Sequence, residues 1–456
     1  MSDPPFGFHG PHDPDDPDNG GGNEPAKGGS GEPPNPFAMF GGGNPQDLSA
    51  MLHRFADLMS WQGGPVNWDL AKDIARHVVA EQGDPSVSAG EQERVVEAVR
   101  LADLWLDPAT TLPSGVSGIE AWSRSEWIER TLPVWSQLCD PVAGRAVESM
   151  GGVLPQEMQA MAGPLIGVVR QMGGMMFGGQ TGQALGALAQ EVVGSTDVGL
   201  PLGPKGVAAL LPRNVGAFGE GLQVPADEVR LFLALREAAY HRLFVHVPWL
   251  RGRLLGAVEE YARGITIDTS RLEEVVSHLD PSDPEALQNA VTGGLFEPED
   301  TPRQKAALAR LETILALVEG WVDTVTSDAA RTNLPALDAL AETVRRRRAT
   351  GGPAERTFAT LVGLELRPRR LREAAALWRT LRDERGAEGR DGVWAHPDLM
   401  PSADDLDDPE GFAGRQGTGL DISALTEETG GEKPEETGGE EPPGPEPRDH
   451  KPDEEL

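Results

Sequence analysis

The chain has 456 residues, a formal net charge of −33 and a single cysteine, Cys139. Because an acidic surface repels phosphate groups, we expect no nucleic acid among its partners. One cysteine provides neither an intrachain disulfide nor a cysteine cluster for a metal, and the N-terminus lacks the basic and apolar runs of a signal peptide. Both features predict a cytoplasmic protein.

The two ends of the chain contain few apolar residues. Residues 1–45 are rich in Pro, Gly and Asp, and residues 413–456 are dominated by acids. Such segments bury too little apolar surface to offset the loss of chain entropy, so we predict disordered tails at both ends. Residues 46–412 are then the folded body, a length that favours two subdomains.

Apolar residues in this body recur with a period near 3.6, and no run of alternating residues predicts a strand. We therefore predict a mainly α-helical fold. In chain order, the predicted helices lie at about 46–60, 68–82, 89–106, 118–138, 155–194, 227–246, 249–263, 268–280, 303–327, 333–348 and 368–386. Four tryptophans are expected to fill the core, namely Trp105, Trp122, Trp127 and Trp135. Several prolines make residues 195–225 a loop-rich bridge and the candidate subdomain boundary.

Residues 171–190 carry no charge and contain glycines at a strict spacing of four residues. These are Gly174, Gly178, Gly182 and Gly186. Such a ridge lets another helix approach closely, and in an apolar segment it would indicate a pair of membrane helices. Glutamines interrupt this segment, however, and their amides are costly in hydrocarbon. We therefore predict a closely packed helix or hairpin within the fold, and no membrane contact.

A basic stretch extends from Arg345–Arg348 to Arg385 in an otherwise acidic chain. Because acids such as Glu342 and Glu373 are mixed in, the simplest interpretation is a set of solvated helix faces. The alternative is a docking surface for the acidic tail or for an acidic partner.

Residues 235–241, Leu-Arg-Glu-Ala-Ala-Tyr-His, match a zinc-protease helix whose zinc ligands have been replaced. In an H-E-x-x-H helix, two neutral imidazoles bind Zn²⁺ and the Glu beside the first one acts as general base. Glu237 keeps the position of that base, but Arg236 and Tyr240 stand where the imidazoles would be. A guanidinium has no lone pair for a metal, and a phenol with a pKa of about 10 is a poor zinc ligand near neutral pH.

A zinc site of this kind also takes a third ligand, commonly a Glu from a later helix. Glu319 is the candidate, because it lies in a predicted apolar helix and precedes Gly320, a residue that permits close helix approach.

These elements resemble the zincin-like metallopeptidase family (type 2) of high-GC bacteria, whose members are often labelled hydrolases. The resemblance rests on 235–244 with Val247-Pro248-Trp249-Leu250, on Glu319-Gly320, on 394–401 (Trp-Ala-His-Pro-Asp-Leu-Met-Pro) and on 404–409 (Asp-Asp-Leu-Asp-Asp-Pro). It covers about residues 46–412 and implies a zincin-like, multi-helical fold. The family's zinc roles carry over only to Glu237 as general base and Glu319 as third ligand. This chain is similar to the branch in which the histidine motif is degenerate.

The remaining histidines leave two interpretations open. His241 lies one helical turn after Glu237, so a displaced metal site could use His241 and Glu319 with zinc as the cofactor. The simpler interpretation makes His241 and His246 ordinary residues of an amphipathic helix beside Pro248, and His396 a loop residue with a structural role.

The replaced ligands suggest a physical substitute for zinc. We hypothesise that Arg236 places its guanidinium in the cation position and forms a structural ion pair with Glu319 or Glu237. On this hypothesis no metal or cofactor is expected, and the protein is a scaffold that binds a peptide or protein partner without cleaving it. The alternative is a metal-dependent hydrolase or peptidase with Glu237 as general base.

Overall fold

A computed structural model describes residues 64–151, 163–264, 301–349 and 370–417, and its secondary structure is mainly α-helical, which confirms the predicted fold class. The α-helices of these residues are α1 (Trp68–Glu81), α2 (Ala89–Leu106), α3 (Arg124–Gly151), α4 (Gly163–Ala189), α5 (Pro212–Gly219), α6 (Ala226–His246), α7 (Pro248–Arg263), α8 (Pro302–Ala330), α9 (Leu337–Ala349), α10 (Leu371–Gly392) and α11 (Pro409–Gly417). Three short 3-10 turns, Val393–Ala395, Pro397–Leu399 and Asp404–Leu406, connect α10 to α11.

Most predicted helices within these ranges are found, and most of their ends differ by a few residues, but α3 continues to Gly151 although its predicted end was at 138. The predictions for 46–60 and 268–280, for the N-terminal tail and for residues 418–456 fall outside the described residues, and the subdomain boundary stays a prediction. The predicted C-terminal tail begins too early, because residues 413–417 form the end of α11 and Ala413 is buried.

The start of the helix predicted at 118–138 was wrong. Residues 118–121 do not begin a helix but form strand β1 (Gly118–Ala121), which pairs in parallel with β2 (Val207–Leu210). Strands of four residues are too short to show a period in the sequence, so only the pairing reveals them.

Helix starts follow from local capping chemistry. The Asn67 side chain accepts a hydrogen bond of 3.0 Å from the Leu70 backbone N–H and caps α1. Ser88 with Glu91, and Thr301 with Gln304, form reciprocal capping boxes at the starts of α2 and α8. These caps satisfy backbone donors that the first turn of a helix leaves free.

The glycine ridge lies in α4 and packs against α1, as the prediction of a closely packed helix requires. A Cβ added at Gly182 would lie 2.6 Å from the Ala71 carbonyl oxygen, and one at Gly186 would lie 2.6 Å from the Val78 Cβ. Only hydrogen atoms at these positions allow the two helices to come this close. Within the described ranges, no helix has the length and apolarity needed to cross a bilayer.

Helices α6 and α8 contact each other in the core, which also holds Trp122, Trp127 and Trp135. Trp105 is only partly buried, although it packs against the same core. Gly320, which follows Glu319 in α8, permits a close helix approach as predicted, and the approaching helix is α10. A Cβ at Gly320 would lie 2.7 Å from the backbone nitrogen of Ala375 in α10. The core therefore places Glu319 next to the middle of α6.

Candidate functional site

The middle of α6 is buried on every side, although it carries five polar or charged residues. Residues 232–243 are all buried, and Arg236, Glu237 and His241 are each at most 5% exposed. A helix that is surrounded by protein must find internal partners for every charge it carries. The partners of these side chains therefore define the site.

Glu237 accepts hydrogen bonds from five neutral donors. Its Oε1 receives the backbone N–H groups of Ser195 and Ala209, each at 3.2 Å, together with the Ser195 hydroxyl. Its Oε2 receives the backbone N–H of Thr196 at 3.2 Å and the Thr196 hydroxyl at 2.6 Å. We call this arrangement the Glu237 cradle.

The cradle is built by the segment between α4 and β2, and β2 itself supplies the Ala209 donor. A Cβ at Gly194 would lie 2.6 Å from Glu237 Oε2, so the segment approaches the carboxylate as closely as only glycine allows. Sequence reasoning missed Ser195 and Thr196 and assigned this region to a loop-rich bridge. Gly194, directly before these two residues, was the sequence feature that could have indicated a close approach. The backbone N–H donors, however, cannot be recognised from a sequence.

The cradle also determines the protonation of Glu237. Burial alone would raise the pKa of this carboxyl, but hydrogen bonds from His241, Ser195 and Thr196 outweigh it and hold the pKa below its ordinary value. A general base must offer a free lone pair to the proton that it removes. Both oxygens of Glu237 are already occupied by donors, so the geometry favours a structural carboxylate.

His241 lies within the same cradle. Its Nε2 is 3.3 Å from Glu237 Oε1 and 3.3 Å from the Ser195 hydroxyl. In a Ser-His-acid triad, the serine and the carboxylate bond to opposite nitrogens of the imidazole ring. Here both partners approach the same nitrogen, so these three residues do not form a nucleophilic triad.

Arg236 lies on a different side of α6 and contacts Glu319. Its Nη2 is 2.8 Å from Glu319 Oε2, and both side chains are almost completely buried. The Tyr240 hydroxyl donates to the other oxygen, Oε1. Burial and the Glu319 charge raise the pKa of Tyr240 well above its ordinary value, so the phenol stays protonated and remains a donor.

A second guanidinium completes the surroundings of Glu319. Arg348, at the end of α9, donates from Nη2 to Glu319 Oε1 at 2.7 Å. It also donates to the Asp197 carbonyl and lies 3.6 Å from the Asp197 carboxylate. We call Arg236, Tyr240, Glu319 and Arg348 the Glu319 cluster.

The interpretation of the arginine run as a solvated face is therefore wrong for Arg348, whose side chain is 16% exposed and points into the protein. It holds for Arg346, whose side chain is 77% exposed and pairs only with Glu342 among the described residues. A run of four consecutive arginines gives no sign of which member turns inward.

The neighbouring acids balance these two cations. Burial would raise the pKa of Asp197, but Arg347 and Arg348 lie close to the carboxylate and hold the pKa below its ordinary value. Asp323, one turn after Glu319 in α8, behaves in the opposite way. Burial raises its pKa although Arg236 and Arg345 oppose that rise.

The donor set of the Glu319 cluster does not fit zinc. A zinc ligand must present a lone pair to the metal, and the two guanidiniums and the protonated phenol present only hydrogens to Glu319. The two ligands of the predicted alternative metal site, His241 and Glu319, also lie in different groups. His241 bonds within the Glu237 cradle. Glu319 bonds instead to Arg236, Tyr240 and Arg348. Across the described ranges, no three His, Cys, Asp or Glu side chains form a group that could share a metal ion.

Two further histidines and the single cysteine lie apart from this site. His396 is exposed, and its ring nitrogen accepts a hydrogen bond of 3.2 Å from the Asp398 backbone. His246 is also exposed, and its Nε2 lies 3.0 Å from the Ser114 carbonyl. Cys139 is buried, and desolvation raises the pKa of its thiol, so it is poorly suited to nucleophilic chemistry.

The sequence elements that carried the resemblance meet in space. The Trp249 indole donates a hydrogen bond of 3.0 Å to the Trp394 carbonyl, and Trp394 stacks on Trp378 at 5.2 Å between ring centroids. Trp378 in turn donates to the Leu317 carbonyl at 2.8 Å, two residues before Glu319. The closing element therefore supports the helix that carries Glu319.

Comparisons with known proteins concern the fold and the family of the chain. A protein from Chloroflexus aurantiacus, described as a provisional hydrolase with a novel fold, has a crystal structure that matches with a TM-score of 0.54 at 22% sequence identity, over 78% of this chain and 99% of that one. That likeness shows a shared fold. No curated protein matches. The sequence profile of a zincin-like metallopeptidase family matches residues 66–413, so the chain belongs to that family.

Proposed function

We propose that this chain is a pseudoenzyme of the family, a binding or regulatory scaffold that holds a peptide or protein partner without cleaving it. In this proposal, two guanidiniums take the cation position that zinc holds in an H-E-x-x-H site. The observation that carries the proposal is the surroundings of Glu319, whose oxygens receive Arg236 at 2.8 Å, Arg348 at 2.7 Å and the Tyr240 hydroxyl.

The charges of the Glu319 cluster support this proposal. Removing zinc from a site lined by acids would leave buried negative charge without a counterion, which is costly. Arg236 and Arg348 supply that positive charge from two different helices and join them to α8 through Glu319. A metal entering the cluster would have to displace both guanidiniums, and the positions of the two motif imidazoles would still lack ligands.

The Glu237 cradle supports the same proposal over a hydrolase. The alternative needs Glu237 as general base and a metal held by His241 and Glu319. Five neutral donors already occupy the Glu237 carboxylate, and its lowered pKa makes it a weaker base.

Metal analysis combined with a peptidase assay tests the proposal. We expect protein purified from zinc-containing medium to hold far less than stoichiometric zinc, and added zinc to produce no hydrolysis of a peptide library. We also expect Glu237→Gln to leave any residual hydrolysis unchanged. Stoichiometric zinc that disappears in His241→Ala, with hydrolysis that disappears in Glu237→Gln, would establish the hydrolase instead.

A further inference from the structure

A cavity of about 680 Å³ lies between α8, α9 and α10, to one side of the Glu319 cluster. Its lining includes three buried leucines, Leu334, Leu337 and Leu371. Volumes of this size are typical of sites that hold several side chains or a small ligand, roughly 300–1,000 Å³. The cavity wall therefore combines these leucines with polar and charged side chains.

Two of the three acids in the cavity wall have cationic partners. Asp328 accepts a hydrogen bond of 3.2 Å from Arg331 and another from Arg382. Asp323 lies 3.5 Å from Arg345. A ligand entering the cavity therefore meets two paired carboxylates and a third, that of Asp338, which is exposed and has no ion pair among the described residues.

Two arginines of α10 have side-chain N–H groups without an acceptor among the described residues. Arg372 and Arg379 both line the cavity and are exposed. Within the described residues, Arg372 has no hydrogen bond or ion pair. Arg379 hydrogen-bonds only through its Nε, at 3.0 Å from the Ala375 carbonyl, and its charge also opposes the rise in the pKa of Asp323. They are seven residues apart, about two helical turns, so they lie on one face of α10. Their unused N–H groups, together with the leucines of the wall, suit a segment that combines acidic and apolar side chains.

The chain itself contains such a segment. Residues 418–456, which follow the last described residue, hold thirteen acids and three Lys or Arg. The segment 420–428, Leu-Asp-Ile-Ser-Ala-Leu-Thr-Glu-Glu, is the one that combines three large apolar residues with acids. Its composition is therefore complementary to the cavity.

The attachment point of this segment also fits. Arg385 donates to the Ala413 carbonyl, so α11 lies against α10. Arg385 is thirteen residues from Arg372, which is about 20 Å along a helix. Ten residues beyond Gly417 span up to roughly 33 Å when extended. A tethered segment also has an effective concentration of about 1 mM or more, which lets a weak contact form.

We propose that residues 420–428 bind in this cavity, with Leu420, Ile422 and Leu425 on its leucines and Glu427 and Glu428 on Arg372 and Arg379. An acidic segment of a partner then has to displace the chain's own segment. The proposal takes from the proposed function only that the chain is a binding protein.

Thiol labelling of the full-length chain tests this contact. The native Cys139 is buried and its thiol pKa is raised, so it reacts slowly and an introduced thiol can be followed separately. We expect Ser423→Cys to be labelled about tenfold more slowly at low salt than Thr437→Cys, a ratio equivalent to about 1.4 kcal/mol of protection. Salt should reduce the ratio, because it screens the carboxylate–guanidinium attraction.

Charge reversal identifies the surface involved. Arg372→Glu with Arg379→Glu should remove the protection, and adding Glu427→Arg with Glu428→Arg should restore it. The matched control is Arg251→Glu with Arg253→Glu, two exposed arginines of α7, which should leave the protection unchanged. Thermal unfolding of each variant checks that the fold is intact.

Equal labelling rates at the two positions would overturn the proposal, as would equal loss of protection in the control. If a synthetic 420–428 peptide binds the cavity while position 423 in the chain stays unprotected, the occupant is a partner and the intramolecular contact is wrong. Zinc measured on the same samples keeps the two proposals apart. Stoichiometric zinc contradicts the proposed function alone, whereas lost protection in zinc-free protein contradicts this inference alone.

Discussion

The Glu237 cradle and the Glu319 cluster stabilise two buried carboxylates in different ways. Glu237 accepts from two hydroxyls and three backbone N–H groups and lies beside the His241 imidazole, whereas Glu319 is bound by two guanidiniums and a phenol. Neutral dipoles can hold an anion without a counterion, but they leave the local charge negative. The cations are therefore concentrated at Glu319, the residue that the family resemblance assigns to the metal. Under the proposed function, the guanidiniums replace the charge of zinc on one side of α6 only.

The largest effect is expected for Glu319→Gln. This change leaves Arg236 and Arg348 without their shared carboxylate, and breaking a buried ion pair costs about 3–5 kcal/mol of unfolding free energy. Urea unfolding measures the loss. The control is Glu259→Gln, whose carboxylate is 52% exposed and pairs with Arg263 at 2.6 Å, with an expected cost below about 1 kcal/mol. Similar losses at the two positions would contradict the ion-pair account.

Glu237→Gln is expected to cost about 2–3 kcal/mol, because hydrogen bonds to a charged acceptor are lost and one amide hydrogen then faces a donor. The effect should depend on pH. The folded pKa of Glu237 is lower than its unfolded value, so its stabilisation is complete above the unfolded pKa and is lost as pH falls through the folded pKa.

Unfolding measured from neutral to acid pH should therefore show the wild type and Glu237→Gln converging as the solution becomes acidic. If the difference in unfolding free energy between the two proteins stayed constant with pH, the charge on Glu237 would contribute nothing to stability.

A smaller effect is expected for Arg348→Met. Arg236 and Tyr240 still bind Glu319 in this variant, so we expect a loss of about 2 kcal/mol, within the ordinary range for buried substitutions. Arg346→Met removes an exposed arginine of the same run and should change stability by no more than about 0.5 kcal/mol. An equal response of the two variants would show that Arg348 does not act through Glu319.

Much of this arrangement could be predicted from the sequence, for identifiable reasons. The apolar period predicted α6 and α8. The remnant of the zinc motif pointed to Arg236, Glu237 and Glu319, and the fold places these residues in two neighbouring groups, the Glu237 cradle and the Glu319 cluster. The donors to Glu237 could not be predicted, because they are mostly backbone groups that lie 28 to 42 residues earlier in the chain.

Two further features left no local signal. The parallel pairing of β1 with β2 joins four-residue strands that are almost ninety residues apart, and only the assembled fold shows why they pair. Arg348 has the same sequence neighbourhood as the exposed Arg346, so its inward position depends on where α9 ends relative to Glu319.

Zinc titration of variants that restore the motif tests the central claim most directly. The wild type should bind no zinc at the Glu319 cluster, Arg236→His with Tyr240→His should bind it, and adding Arg348→Met should tighten binding by about tenfold or more, because a competing cation is removed. Stoichiometric binding by the wild type, with no gain in the restored variants, would contradict the claim that guanidiniums occupy the cation position.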